Sequence, residues 1–159
     1  MANVSTYASL GKNHPDIVEK YNKSIDAILG HGQWELQNVD EKCSYEGKLS
    51  VGKYKLVLTF GTKTVVASFE LFPMINCCGM CVSTQARVDY KYQGKGLGTI
   101  LNSLRIDIAR HLGYGCLMCT DVESNTYQRK ILARNGWMDV DKFVNPRTKN
   151  TLFISVIHL

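Results

Sequence analysis

The stretch Gln93-Gly94-Lys95-Gly96-Leu97-Gly98 is the most informative segment of this chain. It follows an apolar run that ends at Val88, and it precedes a segment whose apolar residues recur at helical spacing as far as Leu112. The three glycines let the backbone turn tightly and approach a ligand, and the start of a helix presents unpaired N–H groups. The stretch therefore predicts a strand, a phosphate-binding loop and a helix in succession.

Hydrophobic periodicity on both sides of this unit predicts a single domain that spans residues 1–159. Helical spacing predicts helices over 15–29, 97–112 and 125–134. Apolar runs and alternation predict strands over 34–39, 54–60, 64–72, 80–88, 116–120, 137–144 and 151–158. This order predicts an α/β (α+β) domain with a central mixed, mostly antiparallel sheet of six to seven strands, flanked by helices.

Composition and charge narrow the class of protein. A hydrophobic fraction of 45% and a charged fraction of 21% are ordinary for a globular chain. The first residues lack a basic segment followed by an apolar one, so we expect a cytoplasmic protein with no membrane partner. The net charge of +5 comes from scattered lysines and arginines, which favours a solvated surface over a nucleic-acid interface. A homodimer stays open.

Two Cys-x-x-Cys pairs raise the question of a zinc site with four thiolate ligands. However, Cys116 and Cys119 lie in a segment that reads as a buried strand, where residues three apart point to opposite faces. Such a pair cannot chelate one ion together. The cysteines are therefore interpreted as small buried hydrophobic residues, with no metal site, and a zinc-binding or basic nucleic-acid module is kept as the weaker alternative.

The glycine loop and its surroundings resemble those of the GNAT superfamily of acyl-CoA-dependent N-acetyltransferases. That family carries Arg or Gln, two residues, Gly, one residue, then Gly or Ala, and Gln93, Gly96 and Gly98 fit these places. The fourth strand of the family usually ends five residues before the Gln, which corresponds to Val88. The resemblance implies the GNAT fold and binding of acetyl-CoA or coenzyme A.

A second motif supports the resemblance. The family commonly shows an Asn, ten intervening residues, then Gly and an aromatic residue, and Asn125, Gly136 and Trp137 have this spacing. A dinucleotide-binding fold is the competing interpretation, because Asp121 ends the strand after the helix. That fold expects the glycine loop after the first strand of a parallel unit, whereas here a predicted antiparallel meander precedes it. The GNAT interpretation is therefore favoured.

The resemblance implies roles for individual residues. Backbone groups near the end of the fourth strand would hold the pantetheine arm and the thioester carbonyl, and amides of the loop would bind the pyrophosphate. Asn125 would meet the cofactor arm, cap its helix, or do both. The residues implied to bind the cofactor are Arg87, Val88, Gln93, Gly94, Lys95, Gly96, Leu97, Gly98, Thr99 and Asn125.

The sequence departs from the family where proton transfer is expected. Many relatives carry a Tyr acid seven residues after the Asn, and here that position is Leu132. Many also carry a base four residues before the Val, and here that position is Thr84. Candidate catalytic substitutes are Tyr127, Glu70 and Glu123.

The sequence thus predicts an N-acetyltransferase that moves an acetyl group from acetyl-CoA to a primary amine of an unidentified protein or small molecule. Direct attack without the usual Tyr acid is expected to make turnover weak. The alternative is an acyl-CoA-binding regulator or interaction module with little or no activity.

Overall fold

A computed structural model describes residues 15–43, 49–74 and 77–159 of the chain. Its helices are α1 (Pro15–Leu29), α2 (Leu97–His111) and α3 (Thr126–Arg134). Its strands are β1 (Trp34–Cys43), β2 (Leu49–Leu58), β3 (Val65–Pro73), β4 (Met80–Val88), β5 (Cys116–Val122), β6 (Met138–Val144) and β7 (Thr151–His158). No helix within these ranges is long and apolar enough to cross a membrane.

The seven strands form one sheet in the order β1-β2-β3-β4-β5-β7-β6. Every neighbouring pair is antiparallel except β4 and β5, which are parallel and are joined through α2. A parallel pair needs such a crossover because the end of the first strand and the start of the second lie at opposite ends of the sheet. The predicted mixed, mostly antiparallel sheet is therefore confirmed, with seven strands.

The core lies between the sheet and the two long helices. Helix α1 packs on α2, and α2 covers β3 and β4. Tyr54 of β2 and Phe69 of β3 stack with ring centroids 4.9 Å apart, and both are buried. Ile25 of α1 and Leu104 of α2 are buried and complete the core on the helical side of the sheet. The apolar stripes that predicted the helices are the faces that form this core.

The second strand lies several residues before its predicted place, residues 54–60. It spans Leu49–Leu58 because its ladder with β1 runs from Trp34 opposite Leu58 to Cys43 opposite Leu49. Gly52 is a weak strand former, and the ladder overrides that preference. Gly61, with φ of +67°, opens the turn that removes Thr59 and Phe60 from the strand. The same ladder extends β1 beyond its predicted end at residue 39. Part of the predicted turn at 73–76 lies outside the described residues.

A cluster of charges around Asp107 ties α1 to α2. Lys20 approaches the Asp107 carboxylate at 2.8 Å, and the Tyr21 hydroxyl donates a hydrogen bond to it. Arg110 approaches its other oxygen at 3.1 Å. Burial by itself would raise the pKa of Asp107, but the hydrogen bonds from Lys20 and Tyr21 outweigh burial, so the pKa is lowered.

Replacing Asp107 with Asn is expected to lower the free energy of unfolding by about 1 kcal/mol at pH 7, because two ion pairs lose their shared carboxylate. A lowered pKa means that the carboxylate stabilises the fold above its unfolded value of 3.8, and that this contribution is lost as the pH falls below it. Urea denaturation of wild type and D107N at pH 7 and pH 3 measures the effect. A difference between the two proteins that stays constant with pH would contradict the role assigned to the charge.

Candidate functional site

The site begins where β4 and β5 stop pairing. Their parallel ladder runs from Met80 opposite Cys116 to Ser83 opposite Cys119 and goes no further. Beyond this point β4 continues beside β3, and β5 continues beside β7. The two strands therefore diverge, and a V-shaped opening with its apex at Ser83 and Cys119 interrupts the middle of the sheet.

A β-bulge shapes the β4 side of the opening. The β3–β4 ladder shifts register between Ser68 and Glu70, so Gln85 and Ala86 have no partner on β3. Gln85 has a φ of +53°, a left-handed conformation that is uncommon for a residue other than glycine. The bulge bends the end of β4 and leaves backbone groups on this side of the opening without a partner on β3, as bulges near functional sites commonly do.

The glycine loop connects the end of β4 to α2. A single 3₁₀ turn over Tyr90–Tyr92 is capped by Asp89, whose carboxylate accepts from the Lys91 amide at 3.0 Å. The Gln93 side chain then donates to the Val88 carbonyl at 3.0 Å and closes the loop against the strand end. Gly94 and Gly96 have φ values of +73° and +93°, which favour glycine strongly. Gly96 is the N-cap of α2, so the first N–H groups of the helix lie at the loop.

The β4 side of the opening and the loop border a cleft of about 460 Å³. Its volume falls within the usual range for sites that bind small molecules and cofactors. It is bounded by the end of β4, the loop, one face of α2 and the start of α3. The lining residues are Ala86, Arg87, Val88, Gln93, Gly94, Gly98, Leu101, Asn102, Arg105, Asn125, Tyr127 and Gln128.

Arg105 is a lining residue that the sequence analysis did not identify as part of the site. It is only 2% exposed, and its guanidinium donates to Ser83 Oγ at 3.1 Å and to Asn102 Oδ1 at 2.8 Å. It also lies 4.8 Å from the centroid of the Trp137 ring. Burial lowers its pKa, and nearby Cys119 opposes that shift, but a guanidinium stays charged in either case. An arginine within the apolar stripe of a helix was the available sequence signal.

The fold of this chain, though not its sequence, matches known proteins. No protein-family model and no curated protein sequence matches the chain. Among solved structures, a GNAT family acetyltransferase from Elizabethkingia anophelis with acetyl-CoA bound matches with a TM-score of 0.63 and 14% identity over 80% of this chain and 99% of that one. The chain has the GNAT fold. Its resemblance to that superfamily is thereby confirmed at the level of the fold.

Two further solved structures share the GNAT fold with this chain. A putative streptothricin acetyltransferase from Bacillus anthracis in complex with acetyl coenzyme A matches with a TM-score of 0.58 and 16% identity, over 75% of this chain and 70% of that one. The ribosomal-protein-S18-alanine N-acetyltransferase from Escherichia coli matches with a TM-score of 0.55 and 16% identity, over 86% of this chain and 75% of that one.

Most residues that the sequence assigned to the cofactor lie around the cleft. Arg87, Val88, Gln93, Gly94, Gly98 and Asn125 line it. The structure does not place Lys95, Gly96, Leu97 or Thr99 among the lining residues. The Leu97 side chain is buried in the core, and the Lys95 ammonium lies 5.3 Å from the centroid of the Tyr92 ring. Of these last four residues, Gly96, Leu97 and Thr99 belong to the N-cap and first turn of α2, where backbone N–H groups are the ligating atoms of such loops.

Asn125 and Tyr127 occupy the α3 side of the cleft. Asn125 caps α3, because its side-chain oxygen accepts from the Gln128 amide at 3.2 Å. Asn125 also lines the cleft, so both alternatives weighed for it are compatible with the structure. Tyr127 is 56% exposed, and a Cβ atom added at Gly98 would lie 3.8 Å from its ring. Tyr127 therefore stands at the loop end of the cleft, away from the apex.

The two candidate carboxylates lie outside the cleft lining. Glu70 pairs with Thr84 in the ladder, and its carboxylate is 3.6 Å from the Lys53 ammonium. Glu123 is exposed after the end of β5. Leu132, at the place of the usual Tyr acid, is 2% exposed and packs in the core. Of the three catalytic candidates, only Tyr127 borders the cleft.

The cysteines of β5 differ in their environment. Cys119 is buried beside Arg105, and burial raises its pKa to about 11, so at neutral pH it is a protonated thiol with little nucleophilic character. Cys116 is partly exposed and Cys78 is exposed, so the interpretation as buried hydrophobic residues is confirmed for Cys81 and Cys119 and is wrong for the other two paired cysteines. Within the described residues, no group of three or more His, Cys, Asp or Glu side chains is arranged to hold a metal ion.

Behind the cleft, Arg129 of α3 joins two strands. Its guanidinium lies 3.1 Å from Asp121 of β5 and 2.6 Å from Asp139 of β6, and 3.5 Å from the Phe153 ring centroid. Burial raises the pKa of Asp121 despite the favourable charge of Arg129. The Ser155 hydroxyl donates to Asp139 at 2.7 Å. This cluster fixes α3, and hence Asn125 and the cleft wall, against the sheet.

Replacing Arg129 with Gln is expected to lower the free energy of unfolding by about 2 kcal/mol at pH 7, because a buried carboxylate loses its counter-charge. Removing the arginine raises the already raised pKa of Asp121 further, so protonation relieves the penalty and the difference from wild type shrinks as the pH falls toward 4. Lys130→Gln removes the same charge from an exposed position of the same helix and serves as the control. Equal denaturant midpoints for the two variants at pH 7 would contradict this account.

Proposed function

We propose that this chain transfers an acetyl group from acetyl-CoA to a primary amine of a protein or small molecule. The observation that carries the proposal is the cleft, in which a strand divergence with a bulged edge meets a glycine loop at a helix N-terminus. Two solved structures of the same fold hold acetyl-CoA. The low sequence identity leaves the acceptor open.

The chain offers binding groups for the pyrophosphate and the pantetheine arm of the cofactor. N–H groups of the loop and of the first turn of α2 would bind the pyrophosphate, since the αL glycines leave this surface free of side chains. The free edge of β4 from Ala86 to Val88 would hydrogen-bond to the pantetheine amides as a neighbouring strand would. The Asn125 amide would contact the same arm from α3.

Bound acetyl-CoA would supply a thioester whose carbonyl carbon forms a C–N bond with a neutral amine while the C–S bond breaks, so the amine loses one proton and the thiolate gains one. Backbone N–H groups at the bulge, around Ala86, would polarise the carbonyl. The cleft walls would hold amine and thioester together, and such positioning accounts for much of the rate in two-substrate reactions.

Proton transfer is where the chain departs from the pattern that the family resemblance implies. Leu132 faces the core, and Tyr127 stands at the loop end of the cleft, where the phosphates would lie. The proton is therefore exchanged with water, and the turnover is slow. The same observation favours the second candidate, an acyl-CoA-binding regulator that has little or no activity.

Introducing Glu at Gly96 is expected to abolish CoA binding, because the side chain brings negative charge and bulk to the pyrophosphate position. Gly96 has a φ of +93°, so part of any effect is backbone strain. Gly113→Glu at the other end of α2, where φ is +84°, adds the same charge and similar strain and is the matched control. Calorimetric titration with CoA should show binding by wild type and G113E, and none by G96E. If G96E bound CoA as tightly as wild type, the assignment of the glycine loop to the pyrophosphate would be refuted.

The rate of thiol release from acetyl-CoA is expected to rise with pH from about 6 to 10 as the acceptor amine deprotonates, with no descending limb from a protein acid. Tyr127→Phe should raise KM several-fold and leave kcat and the pH profile unchanged. The control Tyr90→Phe alters an exposed tyrosine outside the cleft lining.

A bell-shaped profile that disappears in Tyr127→Phe would show that Tyr127 is a general acid and that the water-mediated account is wrong. Tight CoA binding without turnover of any amine in a panel of peptides, polyamines and aminoglycosides would favour the regulator over the enzyme.

A further inference from the structure

The apex of the cleft is cationic, which a site for the methyl group of an acetyl thioester does not require. Arg105 reaches the last paired position of the diverging strands by donating to Ser83 Oγ at 3.1 Å. It also lines the cleft. Burying a guanidinium is costly, and the hydrogen bonds to Ser83 and Asn102 offset only part of that cost because neither partner carries a negative charge.

Asn102 places a second polar group beside the guanidinium. It is 2% exposed, and its side-chain oxygen accepts both the Nε and the Nη2 groups of Arg105, at 3.2 and 2.8 Å. Its side-chain Nδ2 atom is buried and has no hydrogen-bond partner among the described residues. Because Asn102 lines the cleft, an acceptor on a guest that reached the apex would satisfy this unpaired N–H₂ group.

The charge of Arg105 has no carboxylate in direct contact. No ion pair of 4.0 Å or less joins Arg105 to an acidic side chain in the described part of the chain. The buried Asp121 carboxylate, whose charge acts on Arg105 without contact, is engaged by Arg129 at 3.1 Å. A guest carboxylate would therefore complete the apex with a charge-assisted hydrogen bond from each donor.

The distances along the elements allow such a guest. Arg105 lies seven residues from Gly98, about 10 Å along α2 from the loop that would hold the pyrophosphate. Ser83 lies three residues from Ala86, about 10 Å along β4 from the bulge that would hold the thioester carbonyl. The Arg105 side chain spans part of that gap, and the remainder accommodates the short chain of a dicarboxylic acyl group.

We infer that the cleft selects an acyl-CoA whose acyl group ends in a carboxylate, of malonyl to glutaryl size, and that Arg105 and Asn102 bind this carboxylate. The inference rests on the proposed function and specifies its donor. The transfer balances as for acetyl: the C–N bond forms, the C–S bond breaks, and one proton passes from the amine to the leaving thiolate through water. The terminal carboxylate takes no part in the bond changes.

Calorimetric titration without an acceptor amine tests the inference. Malonyl-CoA is compared with isovaleryl-CoA, in which two methyl groups replace the carboxylate oxygens. Glutaryl-CoA is compared in the same way with 5-methylhexanoyl-CoA. Free CoA is titrated in parallel. Wild type is expected to prefer at least one charged ligand over its uncharged analogue by about tenfold or more, the range for hydrogen bonds to charged groups.

Asn102→Asp is the informative variant, because it keeps the side-chain volume and the bond to Arg105 but replaces the free donor with negative charge. Its preference for the charged ligand should fall at least tenfold or reverse. Arg110→Gln is the matched control: it removes an exposed arginine of the same helix, and its preference should equal that of wild type. Thermal melting of each variant reports whether the fold is kept.

The outcomes separate the two proposals. If wild type binds free CoA, and binds charged and uncharged acyl-CoA ligands with equal affinity, the carboxylate assignment alone is overturned. This comparison needs no variant. An unchanged preference in folded N102D also overturns it. Failure of wild type to bind free CoA overturns both the donor assignment and the proposed function.

Discussion

The parallel ladder between β4 and β5 ends after Ser83 and Cys119, and the site exists because it ends there. Two local features keep the strands apart. The bulge at Gln85 bends β4 away, and the Arg105 side chain occupies the apex between α2 and the sheet. A continued ladder would close the cleft that the glycine loop borders. The loop alone could bind a phosphate, but only the divergence provides room for a chain attached to it.

A row of polar residues runs from the apex across the sheet, and it passes from the buried side chains of β4, β5 and β7 to an exposed carboxylate on β6. Ser83, Cys119, Ser155 and Asp139 occupy paired positions across four neighbouring strands. Two arginines, one from α2 and one from α3, satisfy this row from the helical side. Buried polar networks of this kind contribute little net stability, but they fix one arrangement of their elements because each unmet partner is costly. The position of both helices at the cleft thus depends on charge as well as on apolar packing.

Sequence reasoning was most accurate where structure is local. The loop at 93–98 and the cap at Asn125 were predicted because positive φ angles and helix caps depend on a few neighbouring residues. The limits of β2 were misplaced because its ladder with β1 set them, against the weak strand preference of Gly52. Arg105 was missed because its importance comes from Ser83, which is 22 residues away in sequence.

The order of elements, the glycine loop and the superfamily resemblance could be derived from the sequence alone, since these follow from periodicity and from backbone conformations that a few residue types adopt. Which side chains share the cleft was set by the tertiary structure. It placed Tyr127 beside Gly98, turned Leu132 into the core and paired Glu70 with Lys53 away from the cleft lining. The physical reason is that the register between strands, and the contacts of helices with the sheet, arise from pairings across the whole chain, which spacing within one segment does not encode.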